Sequence, residues 1–379
     1  MTKIRLVDSL DEINPKQWNG LVGGYPFLRH EFLLALQETG CVSADTGWEP
    51  LYLTLWEGEF FVGAMPLYLK SHSRGEFVFD QGWADGFERN GLSYYPKLLS
   101  AAPFSPVTGP RLLAKNHQNR RILAESAIDL AVQLKVSSLH ILFPNKTDLV
   151  VLNELGFMLR EGIQFHWHNK GYESFDGFLF ALNHDKRKKI RQERRRVHDA
   201  GVTFHWSRGD QMDDDLLEFF YECYVNTYHE HWSSPYLNLD FFKRIKKSMP
   251  DKLLWILAYR DNDPIACAMN MLGEDSLFGR YWGSNQFISG LHFETCYSQA
   301  VEYCIQHRIA RFEGGAQGIH KMARGLLPTP TWSAHWVADS RFSDAIKRFL
   351  DEERSSIEHF REELANHTPF KNASTLKSP

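Results

Sequence analysis

One order of elements occurs twice along this chain, and a repeated order of that kind folds as two similar α/β lobes. In the first half, residues 51–56 (LYLTLW) read as a strand, Glu57-Gly58-Glu59 as a turn and residues 60–69 as a second strand. A turn at residues 71–75 leads to a third short strand, Glu76–Phe79. Ile122, Leu123, Ala127, Leu130, Ala131 and Leu134 then fall at helical spacing within 119–135, and Leu139–Phe143 is a strand that stops at Pro144. The second half repeats the order: strands at 253–259, 264–272 and 277–283, a helix at 291–308 and a short strand at 311–313. GEFVFDQGW (75–83) also echoes EDSLFGRYWG (274–283). The expectation is an α/β (α+β) protein with mixed, largely antiparallel sheets. Its lobes are placed at residues 1–168 and 169–340, followed by a C-terminal helix and loose tail at 341–379.

Composition narrows the function. With 43% hydrophobic and 24% charged residues, the 379-residue chain has material for a substantial core. A net charge of −4 gives no global pull toward nucleic acid or membrane, so any anion binding must be local. The five cysteines are scattered and never form C-x-x-C, which points to reduced thiols and away from a zinc site. No stretch approaches the ~20 apolar residues of a membrane span, and the N-terminus lacks a signal-peptide core. A cytoplasmic protein without a metal is expected.

Three segments carry ionisable groups in chemically useful patterns. LNHDKRKKIRQERRRV (182–197) places eight Lys or Arg within residues 186–196, against Asp185 and Glu193 alone. On a helix Leu182, Ile190 and Val197 form a narrow apolar seam at ~100° per residue. A solvated helix would account for the run; so would a phosphate-rich ligand held by Arg187, Lys188 and Arg191, which would offset the self-repulsion. Residues 276–304 run from a strand ending in Arg280-Tyr281-Trp282 through a loop into a helix near Leu291, with His292 and Glu294 in the first turn. Glu294 is either a proton-transfer group beside His292 or a plain N-terminal charge. FEGGAQGIHKMARG (312–325) ends a strand at Glu313, continues through Gly314, Gly315 and Gly318, and brings in His320, Lys321 and Arg324. Such a loop suits an anionic group, or is an ordinary turn. His166-Trp167-His168 has two of the ligands a metal would need and reads as a surface strand.

The stretches PLYLKSHSRGEFVFDQGWA (66–84), YYPKLLSAAPFSPVTGPRLL (94–113), KIRQERRRV (189–197), FGRYWG (278–283), LHFETCY (291–297) and FEGGAQGIHKMARG together resemble a bacterial family of N-acyltransferases related to the Fem-type peptidoglycan aminoacyltransferases. The resemblance runs from about residue 25 to residue 338. It implies two lobes of the GCN5-related acetyltransferase (GNAT) type. It also implies transfer of an acyl group from acyl-CoA or acetyl-CoA, or of an amino acid from aminoacyl-tRNA, to an amine of a small molecule or a peptidoglycan precursor. Ser284–Gly290 departs from the R/Q-x-x-G-x-G/A loop that holds the CoA pyrophosphate, which keeps tRNA as the alternative donor.

On this reading Glu294 or Glu313 accepts the proton, with His292 or His320 as alternatives. Arg280, Tyr281, Trp282, Gln317, Lys321 and Arg324 are assigned to substrate binding. The competing class is a non-catalytic module that recognises a cell-wall precursor or RNA.

Overall fold

A computed structural model describes residues 2–316 and 318–371. Its strands are β1 (Thr2–Val7), β2 (Trp48–Glu57), β3 (Phe60–Lys70), β4 (Lys97–Ser100), β5 (Leu113–Ala114), β6 (Ser138–Leu142), β7 (Met158–His168), β8 (Val202–Arg208), β9 (Leu253–Arg260), β10 (Asp263–Leu272), β11 (Ser276–Ser284), β12 (Arg311–Glu313) and β13 (Leu327–Val337). Its helices are α1 (Pro15–Val22), α2 (His30–Glu38), α3 (Gln81–Arg89), α4 (His117–Gln133), α5 (Lys146–Glu154), α6 (Phe175–Ala181), α7 (His184–Asp199), α8 (Asp214–Glu230), α9 (Leu239–Ser248), α10 (Leu291–Phe293), α11 (Gln299–Gln306) and α12 (Ser340–Asn366). No helix among the described residues is long and apolar enough to cross a membrane.

The chain divides into two compact units: Met1–Gly162 with Pro330–His359, and Ile163–Thr329 with Phe360–Pro379. The division is not the contiguous one expected. Residues 166–168 of β7 pair with β12 and so complete the second sheet, while residues 333–337 of β13 pair with β6 and complete the first. Each closing strand comes from the far side of the sequence boundary, and backbone pairing leaves no local mark in the side chains.

In the first unit the strand order is β1-β2-β3-β4-β6-β13. β4 and β6 run parallel, with Leu99 opposite His140; the other neighbours are antiparallel. α4 covers this sheet because Leu123, Ala127 and Ala131 recur every four residues and bury against Leu55, Leu67, Leu98 and Ile141. Its N-terminus is capped by Asn116, whose Oδ1 accepts from the Asn119 N–H at 2.7 Å. The third strand of this lobe is β4, not Glu76–Phe79. Residues 76–80 form a loop leading into α3, so the textual echo with β11 is not a structural one. Lys97 causes the difference: its ammonium draws Glu76 and Asp80 inward, which leaves Phe77 and Phe79 facing solvent.

In the second unit the order is β7-β12-β11-β10-β9-β8, with β11 and β12 parallel and the other neighbours antiparallel. Both units therefore show a mixed, largely antiparallel α/β organisation. Ala300, Val301 and Cys304 of α11 pack with Ile256, Leu277 and Phe312 to form the core. Each fully buried Leu or Phe here contributes roughly 1.5–3 kcal/mol. Gly283 is required on β11: a Cβ there would stand 1.9 Å from the Cys223 carbonyl oxygen of α8. The basic segment is helical from His184, and Ile190 and Val197 are buried on it as expected; Leu182 is buried too, but at the end of α6 and not on the seam of α7.

Candidate active site

The site lies in the second unit, at the C-terminal ends of the parallel strands β11 and β12. On β11 the register against β10 skips one residue. Met269 opposes Tyr281 and Asn270 opposes Gly279, so Arg280 is the extra residue of a β-bulge. A bulge re-aims the side chains beside it. Here the Arg280 guanidinium lies 5.2 Å over the Tyr281 ring, and Tyr281 packs edge-on against Tyr224 and Phe242 at 5.0 and 5.9 Å. Trp282 sits apart from them, 5.2 Å from the His292 ring.

Glu313 ends β12 and is 3% exposed. Its Oε1 is 3.1 Å from Arg311 Nε, and its Oε2 accepts no hydrogen bond among the described residues. Burial raises the carboxyl to about 7, working against the opposing charges of Arg311 and Arg280. His166 faces it directly across the β12–β7 ladder, with Nε2 3.8 Å from Oε2. Burial depresses this imidazole to about 3, and Nε2 lies 3.1 Å from Gln164 Oε1. The strand carrying His166 is thus interior, where a surface strand was expected. The reason is that β12 and its parallel partner need an outer neighbour.

The helical segment after Gly290 is interrupted by a π-turn at Glu294–Ser298. Gly290 adopts φ 94°, a left-handed conformation that favours glycine, and a Cβ would also crowd the Glu193 carbonyl oxygen at 3.4 Å. Glu294 is no plain N-terminal charge: burial raises its carboxyl, and its Oε2, like that of Glu313, accepts no hydrogen bond among the described residues. Its Oε1 is 3.1 Å from Arg194 Nε and accepts from Gln299 Nε2 at 2.9 Å, and Arg194 also binds Glu302 at 2.7 Å. This carboxylate ties the π-turn to α7.

His292, Phe293, Tyr297 and His320 form an aromatic cluster with ring centroids 5.3–6.4 Å apart. Burial lowers His292 to about 4, helped by the nearby charges of His320, Arg324 and Lys321. His320 is more open and is lowered for the same reasons.

The glycine loop places Gly315 and Gly318 at positive φ, and a 3-10 turn (Ile319–Arg324) replaces the expected helix. Lys321 is buried and donates to the Gly315 and Ala316 carbonyl oxygens at 3.0 and 2.7 Å, so it pins this loop. Burial lowers its ammonium to about 8, aided by Arg280. Arg324 is also committed to protein: it pairs with both Glu193 oxygens at 2.8 and 2.9 Å and lies 3.7 Å over Phe293. Neither cation is a free anion ligand, contrary to the expectation. A Gly-rich loop followed by cations leaves open whether the cations face a ligand or the loop's own carbonyls. Gln317 lies outside the described residues.

The structure therefore brings two groups together at the strand ends. One is Arg280, Tyr281, Arg311, Glu313 and His166; the other is Trp282, His292, Phe293, Tyr297 and His320. Lys321 links them, since its charge acts on His292 while Arg280 acts on both Lys321 and Glu313. The phosphate candidates stand elsewhere, on α7. There Lys188 and Arg191 are exposed, Arg191 pairs with Asp176 at 3.0 Å, and Arg187 reaches the Leu182 carbonyl oxygen at 3.5 Å. Lys188, Arg191 and Arg195 make one exposed stripe at spacings of three and four. Sequence reasoning missed His166 and Arg311 as neighbours of Glu313; the H-x-H pattern was the available signal.

The solved structures similar to this chain share its fold. The FemX crystal structure aligns over 90% of this chain and 100% of its own at 13% identity, with a TM-score of 0.56. The C-terminal domain of a putative lysylphosphatidylglycerol synthetase from Agrobacterium fabrum covers 90% and 97% at 10% identity and 0.57. L-PGS from Bacillus licheniformis covers 84% and 96% at 9% identity and 0.52. A search of curated proteins finds no match. The FemAB_like model, described as peptidoglycan biosynthesis/recognition, matches residues 9–372, and with that span the chain belongs to the FemAB-like family.

Proposed function

We propose that the second unit transfers an acyl or aminoacyl group to an amine, with Glu313 as general base. The observation that carries this reading is a buried carboxyl at a strand end, raised to about 7, with one oxygen unengaged by hydrogen bonds. A base tuned near the working pH is what proton abstraction from an ammonium-derived nucleophile needs. The amine nitrogen attacks the acyl carbonyl carbon and its proton passes to Glu313 Oε2. The new C–N bond forms as the C–O bond of an ester donor, or the C–S bond of a thioester, breaks. The leaving oxygen or sulfur takes the proton. Arg280 and Arg311 hold the carboxylate's charge in place, and His292 and His320 line the neighbouring aromatic wall. The family description supports an amine of a peptidoglycan precursor as acceptor.

Two observations favour aminoacyl-tRNA over acyl-CoA as donor. In the 284–291 loop the N–H groups of Asn285, Gln286 and Leu291 donate to Ile265 O, Ser284 Oγ and Ile288 O, at 3.0, 3.1 and 3.0 Å. Those three amides are already engaged and so are not offered to a pyrophosphate. The exposed stripe on α7 instead offers cations spaced along one face, which suits an extended polyphosphate backbone.

The commitment of Lys321 and Arg324 to protein partners favours a second reading, a module that binds a precursor without turnover. Single-turnover transfer from aminoacyl-tRNA and from acyl-CoA to an amine-bearing precursor decides between them. The parent should show kcat/KM rising with pH through about 7 as Glu313 loses its proton, and Glu313→Gln should lose ~10²–10⁴-fold. Full activity in that variant, or binding without transfer in the parent, removes the proposal.

A further inference from the structure

The first unit holds a groove between α3 and residues 342–349 of α12 that the proposed reaction does not use. Its volume is about 380 Å³, within the ~300–1,000 Å³ range of small-molecule sites. Phe79, Trp83, Phe342, Ile346 and Phe349 supply most of its wall. We propose that this groove binds the alkyl chain of an amphiphile whose polar, uncharged head lies toward Asn90 and Arg341.

Four observations carry the proposal. First, α3 presents Gly82 and Gly86 to the groove, one turn apart. A Cβ at Gly82 would meet nothing within 4 Å, and one at Gly86 would meet only the Phe342 ring at 3.8 Å. Gly86 lies in the helix interior, where glycine destabilises relative to alanine, and no protein atom uses the space that Gly82 leaves open.

Second, the loop before α3 is inverted in polarity. Glu76 and Asp80 point inward to Lys97, with Glu76 Oε2 2.8 Å from Nζ, while Phe79 is 71% exposed at the groove's rim. Phe77 takes φ 62°, a strained backbone for a bulky residue. The buried ion triad thus holds an aromatic side chain out in water beside an apolar slot.

Third, Arg160, the one cation in the wall among the described residues, is neutralised. Arg160 pairs with both Glu353 oxygens at 2.8 Å and donates to the Phe79 carbonyl oxygen at 2.6 Å. It lies 5.5 Å over Trp83 and 6.0 Å over Phe349, so it braces the wall and offers no charge to a ligand.

Fourth, the groove continues into a second depression of about 280 Å³ that shares Asn90, Phe342 and Ala345 and adds Leu92 and Arg341. Arg341 is held by Asp339 at 2.6 Å, so this end is polar without a free charge. A dry end joined to a wet, neutral end matches a chain with a hydrogen-bonding head.

The test uses the full chain with dodecanol, dodecanoate and dodecyltrimethylammonium below their micelle concentrations, read by calorimetry. Dodecanol should bind saturably, one molecule per chain. Gly86→Leu should weaken it ~10-fold or more, with an unchanged thermal melt. Phe349→Ala, a substitution at a half-exposed position, gives the same readout if Gly86→Leu fails to fold. Absence of saturable binding overturns the proposal, as does binding that neither substitution moves. A preference of ~10-fold or more for either charged probe overturns the neutral-head assignment. A concentration-dependent dimer that Gly86→Leu abolishes would assign the groove to a second copy instead.

Discussion

Each unit places a pair of titratable side chains opposite one another at its parallel strands, and the two pairs are treated in opposite ways. In the first unit His335 faces His140 across the β13–β6 ladder; in the second His166 faces Glu313 across β7–β12. Around His140 all four ring nitrogens of the facing histidines are engaged. Ser333 Oγ lies 2.8 Å from His335 Nε2, the two Nδ1 atoms are 2.7 Å apart, and His140 Nε2 is 3.1 Å from Tyr94 OH. Tyr94 donates to Asp80 Oδ2 at 2.6 Å, and Lys97 binds Asp80, Glu76 and Ser73. His140 Nε2 also lies 2.8 Å from Ser138 Oγ, so the line can run in either direction, and each direction keeps both imidazoles neutral with one Nδ1 donating to the other. Around Glu313 the pairing stops short: His166 stands at 3.8 Å and Oε2 takes no hydrogen bond. The contrast lies in the facing pairs, since Glu76 Oε1 and Asp80 Oδ1 of the first network also take no hydrogen bond among the described residues: ring nitrogens that are all paired hold structure, whereas a carboxylate oxygen left unpaired opposite an imidazole can exchange a proton.

The largest effect that would break this comparison is expected at Lys97. Lys97→Met leaves Glu76 and Asp80 buried without their counter-charge and should cost ~3–5 kcal/mol in denaturant unfolding. A loss below ~1 kcal/mol would mean that the triad is not what holds the first unit. The same substitution should leave the rate of a folded preparation unchanged.

The next effect is on titration. Burial keeps His140 down at about 3, with Lys97 adding to it, and holds His335 well below its usual range. Their folded values lie below their unfolded ones, so the stability they contribute is present above about 6.5 and is lost as pH falls. Glu313 has the opposite sign. Its folded value is raised from 4.5 to about 7, so the native state loses stability as pH rises through that window. Nitrogen and carboxyl-carbon NMR should show both imidazoles neutral from pH 7 to 5 while Glu313 titrates near 7. An imidazole titrating in that range would undo the neutral histidine pair.

A smaller effect separates the two glutamates of the second unit. Glu294→Gln weakens the tie to Arg194 and should cost ~1–3 kcal/mol with the pH–rate profile unmoved. A displaced profile would return Glu294 to the list of bases. The smallest change in stability is expected on α7. Reversing charge at Arg187, Lys188 and Arg191 should shift stability by less than ~0.5 kcal/mol each. Donor binding should nevertheless fall, and its salt dependence should flatten. Unchanged binding at every salt concentration would leave α7 a solvated helix.

Much of the scaffold was readable before folding because it rests on local patterns. Turn residues between apolar runs located β2, β3, β9, β10 and β11, and four-residue apolar spacing located α4 and the buried seam of α7. Glu313, His292, His320 and Lys321 were legible as candidates because strand ends and glycine loops are marked in sequence. Their states of use were not. Whether Arg324 met a ligand or Glu193, and whether Glu294 stood open or bound Arg194, depended on helices distant in the chain.

The sequence by itself determined that β2, β3, β9, β10 and β11 become strands and α4 and α7 helices, since hydrophobic period and turn chemistry act over a few residues. Only the tertiary structure decided which strands close which sheet, where the β-bulge sets Arg280, and that the carboxyls of Glu76 and Asp80 turn inward while Phe79 turns out. Those outcomes follow from desolvation and charge pairing between distant residues. The free energy of a buried charge depends on the partners around it, and these are assembled only when the chain has folded.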